Sequence, residues 1–323
     1  MLPGIRRTRF AAFGLCALLS ACGASPPPPG ERQLSDLPAA ANLAAASGPA
    51  APNGRSYPLV PAQAKPLGEQ LAQVETALQG LPANASDAEL DPLAHRQQVL
   101  YRNWARQPAW DAEVIATLPA KLRPAAQLQL QARREFLAMH SQSAAPKQLP
   151  AWRIAPPAPL ATLESAYRKA EKDTGIDWAT LAAINLVETG MGRLQGLSVA
   201  GARGPMQFLP STWAEAGIGK GSIDNPADAI AAAGRYLVRR GGRSDLAKAI
   251  WGYNNSWHYV RAVQNYASLM RQEPRRLREF HAWQIHFATP NGDLWLPEGY
   301  EQRQPLAIAT YLQQAPWSAP PAR

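Results

Sequence analysis

A mostly α-helical protein is predicted, with β structure confined to one small C-terminal element. Apolar residues recur at helical spacing in nearly every segment between residues 67 and 266, and helix start and stop signals punctuate them. Alternation typical of strands is nearly absent before residue 283. The 323 residues, 46% hydrophobic and 18% charged, suffice for one or two domains with a real core. The 31 prolines, many near the start, assign part of the chain to irregular structure.

Residues 1–21 read as a secretory signal. Basic Arg6, Arg7 and Arg9 precede an apolar run that starts at Phe10, and Leu19-Ser20-Ala21-Cys22 resembles a bacterial lipobox. The run is too short to span a bilayer, so cleavage before Cys22 and lipidation of its thiol are expected. Cys16, the only other cysteine, would leave with the signal, and Cys22 would then have no disulfide partner. These features place the protein in the cell envelope, lipid-anchored on the extracytoplasmic side of a bacterial membrane. Residues 22–64, rich in Pro, Ala, Gly and Ser, read as an unfolded tether. Net charge is +9. Loss of the three signal arginines leaves 30 basic and 24 acidic side chains, a modest +6 that favours anionic partners or mere solubility. No nucleic-acid-reading motif is present, and no nucleic-acid partner is expected.

Residues 65–149 are expected to form a helical accessory region. Leu67, Leu71, Val74 and Leu78 make one stripe, Ser86-Asp87-Ala88-Glu89 is a capping box opening a helix towards Trp104, and a third helix runs over 124–139. Tyr101, Trp104 and Trp110 are read as packing residues. A Pro-rich stretch over residues 150–159 is the expected boundary to a domain spanning 150–270. There Leu160, Leu163, Tyr167 and Ala170 define a helix stopped by Gly175, and Asp177 caps the next. Thr212-Trp213-Ala214-Glu215 reads as another capping box, and Asn225-Pro226 opens a helix that Gly241 ends. Ser244 is the expected cap of the run to Tyr253, and Trp257, Val260, Val263 and Tyr266 carry a last helix.

The C-terminal extension, residues 271–323, contains alternating Trp283–Phe287, the turn signal Asn291-Gly292 and Leu294-Trp295-Leu296, which together predict a β-hairpin. Its Trp283 and Trp295 are expected to pack, and His286, with no assignable carboxylate partner, to be structural.

The most informative residue is Glu188. Helical spacing puts Leu181 and Ile184 on its side of the helix, and Gly190 is a suitable residue to follow the helix end. An apolar wall and the negative end of the helix dipole both disfavour a carboxylate, which suits a general acid. After it come Ser198-Val199-Ala200-Gly201-Ala202-Arg203-Gly204-Pro205-Met206-Gln207 and, later, Gly252-Tyr253-Asn254.

On these three motifs, in this order, about a third of the chain resembles the catalytic domain of lytic transglycosylases related to the soluble lytic murein transglycosylase and to goose-type lysozymes. The resemblance implies a lysozyme-like helical catalytic domain. It further implies cleavage of the β-1,4 bond between N-acetylmuramic acid and N-acetylglucosamine in peptidoglycan, leaving 1,6-anhydromuramoyl ends. Glu188 would act as both acid and base, with the substrate N-acetyl group replacing the second carboxylate of ordinary glycosidases. Ser198 would hydrogen-bond near Glu188, Met206 would line a saccharide subsite and Gln207 would bond sugar. Tyr253 would place its phenol near the N-acetyl group or Glu188, and Asn254 would fix the local turn or bind sugar. Thr189 stands where the family usually has Ser, Pro205 where it has Leu and Gly252 where it has Ala, which bears on subsite shape.

Two alternatives share these residues. A hydrolytic muramidase would deliver water instead of the sugar 6-hydroxyl, and a non-catalytic envelope lipoprotein would only bind glycan or cell-wall enzymes. Retention of Glu188, Gln207 and Tyr253 together argues against the second. No zinc or calcium spacing is present, so neither metal nor cofactor is expected.

Overall fold

Periodic apolar residues become twelve α-helices in the computed structural model, which describes residues 47–139 and 145–321. β structure among these residues is limited to four two-stranded pairings and two isolated bridges. The predicted fold class is therefore the observed one. Strands β1 (Ser47–Ala50) and β2 (Ser56–Pro58) pair antiparallel ahead of α1 (Ala64–Gly80), where Leu67, Leu71, Val74 and Leu78 are all buried. Helix α2 (Asp87–Ala105) opens with the Ser86 backbone N–H donating to Glu89 Oε2 at 2.7 Å. It is followed by α3 (Asp111–Thr117), too short to give a periodic signal, and by α4 (Arg123–Met139).

Short strands β3 (Gln148–Leu149) and β4 (Arg153–Ile154) lead into α5 (Leu160–Thr174), which ends at Gly175 with φ of 75°. Asp177 caps α6 (Trp178–Thr189), accepting from Thr180 N at 3.1 Å. Beyond β5 (Leu194–Gln195) lie α7 (Pro210–Trp213), α8 (Pro226–Arg239), α9 (Leu246–Asn254) and α10 (Trp257–Gln272). Two predicted caps move. Pro210 begins α7 before Thr212 can cap it, and Asp245 rather than Ser244 caps α9, bonding Lys248 N at 2.9 Å. Ser244 instead donates its hydroxyl to Gly241 O.

Helix α11 (Arg276–His281) precedes the predicted hairpin, β6 (Ile285–Thr289) with β7 (Gly292–Leu296), paired from Ile285 with Leu296 to Thr289 with Gly292. Trp283 and Trp295 are buried, as is His286, whose Nε2 meets His95 Nε2 at 3.0 Å. The chain then returns along β3 through β8 (Leu306–Ala307) and ends with α12 (Ile308–Gln314), while β4 pairs with β5.

The Pro-rich residues 150–159 do not divide the core. Leu71, Trp104, Phe136, Ile184, Leu237, Val263 and Leu296 lie in one buried apolar cluster spanning both sides of that stretch. Helix α4 packs along α10, and α10 packs on α6. Burial of Glu75, Arg276, Glu279 and Gln97 is sustained by their mutual bonds, which tie α1, α2 and α11 together.

The expected tether over residues 22–64 requires a correction from residue 47 onward. Tyr57 is buried, and its hydroxyl donates to Asp293 O at 2.8 Å. Ala51 joins it in a second small core with Val99 and Trp295. Composition showed too few large residues for an independent core, but a strand laid on an existing surface needs only one anchor. The signal at 1–21, the lipidation site Cys22 and the tether up to residue 46 lie outside the described residues. Among the described residues, no helix is long and apolar enough to cross a membrane.

Candidate active site

Helix α6 is mostly apolar with no polar face, so it runs through the interior and all twelve of its residues are buried. It ends on two left-handed residues, Gly190 at φ 60° and Met191 at φ 62°, whose N–H groups bond Leu186 O and Asn185 O, both at 3.0 Å. Glu188 is thereby fixed in the last turn with 6% of its surface exposed. Burial pushes its carboxyl up from 4.5 to about 7, against the opposing effect of a hydrogen bond from Tyr259. Tyr259 Oη donates to Oε1 at 2.6 Å, leaving Oε2 outside that bond.

A loop is bonded onto this helix end. Pro205 O accepts from Asn185 Nδ2 at 2.7 Å and from Thr189 Oγ1 at 2.6 Å, while Tyr167 Oη donates to Asn185 Oδ1 at 2.6 Å. Thr189 Oγ1 also accepts from Gly192 N at 2.9 Å, so the hydroxyl retained at this position joins three backbone segments. Gly204 sits at φ 76° where an added Cβ would lie 2.0 Å from Ile223 O, a space only glycine fits. Gln207 follows at φ 49° and donates Nε2 to Gly204 O at 2.9 Å. Its Oε1 is buried and accepts no hydrogen bond among the described residues, so it can take a donor from a ligand.

Tyr253, at the end of α9, stacks parallel to Tyr259 with ring centroids 6.3 Å apart and donates Oη to Met206 O at 2.8 Å. Burial, and then the Glu188 carboxylate, push its phenol well above the ordinary value, so it stays a donor. The structure thus sets Tyr253 near enough to Glu188 to feel its charge, and Gln207 directly after Met206, whose carbonyl Tyr253 bonds. It gives Met206 and Ser198 other duties. Met206 is fully buried in the core, so its side chain is not a subsite wall and only its carbonyl serves the site. Ser198 Oγ accepts from Ala202 N at 2.9 Å, closing its own loop instead of reaching Glu188. Asn254 is the half-buried last residue of α9, just before left-handed Asn255 at φ 50°.

Tyr259 and Asn185 are the site residues that sequence reasoning missed. Tyr259 lies one residue before Val260 on the buried face of α10, and its one detectable signal is that a buried tyrosine hydroxyl needs a partner. The large apolar side chains left exposed among the described residues are Leu197, Val199, Trp251 and Trp257. Leu197 and Val199 flank Ser198, and Trp251 and Trp257 stand on α9 and α10 two positions before Tyr253 and Tyr259. No cluster of metal-ligating side chains occurs among the described residues.

Helix α10 is held from outside by α4. Glu135 accepts from Arg261 Nε at 2.6 Å and meets His258 Nδ1 at 2.6 Å, on either side of Tyr259.

Comparison with known proteins gives one match. Residues 165–272 fit the family model described as Transglycosylase SLT domain, about a third of the chain that contains every site residue named above except the lipidation site. No curated protein and no solved structure matches. Residues 165–272 are a transglycosylase SLT domain, and the chain carries a peptidoglycan-acting enzyme domain of the transglycosylase type.

Proposed function

We propose that the protein is a lytic transglycosylase that cleaves the β-1,4 bond between N-acetylmuramic acid and N-acetylglucosamine and leaves 1,6-anhydromuramoyl ends. The observation that carries this reading is a buried Glu188 raised to about 7 with no second carboxylate contributing to its shift. An ordinary glycosidase sets two carboxyl groups across the scissile bond. In this reading Glu188 does both halves of the work.

Glu188 delivers its proton from Oε2 to the glycosidic oxygen as the C1–O bond breaks. As carboxylate it then removes the proton from the muramic acid 6-hydroxyl while that oxygen bonds C1, which regenerates the acid and consumes no water. Tyr259 is a positioning residue that holds Oε1 in place through the cycle. Gln207 Oε1 supplies a polar contact to sugar.

Mass spectrometry of fragments released from purified cell walls tests the reading, with anhydro ends expected on wild-type products and release lowered about 10²–10⁴-fold in Glu188→Gln. Reducing muramic ends would instead establish hydrolysis. Because the protonated acid starts the reaction, activity should fall as pH rises through about 7.

The envelope location is part of the same proposal. Lipid attachment at Cys22 would put the domain beside its polymer, with residues 23–46 as spacer. Radiolabelled palmitate incorporated by wild type and absent from Cys22→Ala is the expected result.

A further inference from the structure

Away from Glu188, a pocket of about 420 Å³ lies between β2, the end of α2, the hairpin turn and the C-terminal prolines. Its volume falls within the range of small-molecule sites. Three arginines gather there around one acid. Arg106 Nη2 donates to Asp293 Oδ1 at 2.5 Å, Arg102 pairs with Oδ2, and Arg133 approaches Oδ2 at 3.6 Å. Asp293 cannot neutralise both Arg102 and Arg106, so positive charge is left over at the pocket wall.

The surplus is also a surplus of donors. Arg102 lines the pocket, is 2% exposed, and has no hydrogen-bond acceptor for Nε or Nη1 among the described residues; Arg106 Nε likewise has none. Buried guanidinium N–H groups without acceptors are costly, and an oxyanion satisfies several of them at once. Both arginines sit four residues apart at the C-terminal end of α2, where the helix dipole favours cations. Asn103 Oδ1, also in the pocket lining, is buried and has no donor. Tyr57, Val99 and Pro320 provide apolar wall.

We propose that this pocket binds a small organic oxyanion, a carboxylate or phosphate on an apolar body that also offers a hydrogen-bond donor, held by Arg102 and Arg106 with the donor on Asn103. Asp293 acts as the built-in competitor that keeps the arginines apart and oriented when no ligand is present. The site uses none of the residues assigned to glycan cleavage.

Calorimetric titration of the full protein tests this with three probes: N-acetylleucine, 4-hydroxyphenyl phosphate, whose phenol supplies the donor, and N-acetylleucinamide as the neutral isostere. Saturable one-to-one binding of at least one anion is expected, which also tells carboxylate from phosphate, with none for the amide. Arg106→Gln should weaken binding at least about tenfold, while cleavage of cell walls is unchanged. Arg106 is 30% exposed, so the variant should fold; if it does not, Arg106→Lys, which keeps the charge, should show a loss of intermediate size. The proposal is overturned if neither anion saturates by about 10 mM, if the amide binds equally well, or if the Arg106 variants match wild type.

Discussion

Glu188 and Asp293 are buried to almost the same degree, 6% and 4% exposed, yet their protons are held in opposite ways. Burial pushes both carboxyls up. At Asp293 Arg102, Arg106 and Arg133 together outweigh it and hold the group below the ordinary range, whereas Glu188 has only a neutral phenol beside it and rises to about 7. Removal from water sets the stakes, and the neighbours decide the outcome. A carboxyl surrounded by cations is a structural anion; one buried with a tyrosine hydroxyl as its hydrogen-bond partner is a proton donor.

The sharpest test of this contrast is Glu188→Gln, which should lower cell-wall cleavage by about 10²–10⁴-fold in a turbidity assay. The same substitution should stabilise the fold at high pH. Because the folded pKa is raised, the group costs nothing below its ordinary 4.5, and wild-type stability is lost as pH rises towards and through about 7. Thermal melts at about pH 9 should therefore favour the variant by roughly 2–3 kcal/mol, with no difference at about pH 4. Equal stability at both would mean that the carboxyl is not held dry.

Asp293→Asn should do the reverse, costing about 3–5 kcal/mol in urea unfolding at neutral pH because it leaves buried arginines uncompensated. The sign follows from its depressed pKa. The stabilisation is present above the ordinary carboxylate value of 3.8 and is lost as pH falls through the lower folded value, so the penalty should shrink in strong acid.

Tyr259→Phe should have a smaller effect, about tenfold on turnover, and should move the alkaline limb of the pH profile upward, since the lost bond had favoured the carboxylate. An unmoved limb would deny that this phenol touches the acid in solution. The least effect is expected from Glu135→Gln, whose partners Arg261 and His258 are largely solvated, at less than about 1 kcal/mol in stability.

Local signals explain how much of this was legible. Glu188 was visible because an apolar helix ending in an acid and then glycine is unusual, and Asp177 and Asn225 were visible because caps act within three residues. The hairpin followed from Asn291-Gly292. Tyr259 was hidden because one more ring on a buried helix face looks like packing, and its partner lies 71 residues away. Met206 was misjudged because residue type does not tell which way a side chain leaves an irregular turn. The strands before α1 escaped because their anchor is the hairpin surface near Asp293, 236 residues downstream of Tyr57.

The seating of α4 along α10 has a practical consequence. Helix α4 lies wholly outside residues 165–272, but it covers a flank of the helix that carries the acid's tyrosine. Excising that third of the chain for expression would strip off this cladding and bare that flank of α10 to water. Minimal versions built for biotechnology should therefore be cut upstream of residue 64, or be given a new outer layer.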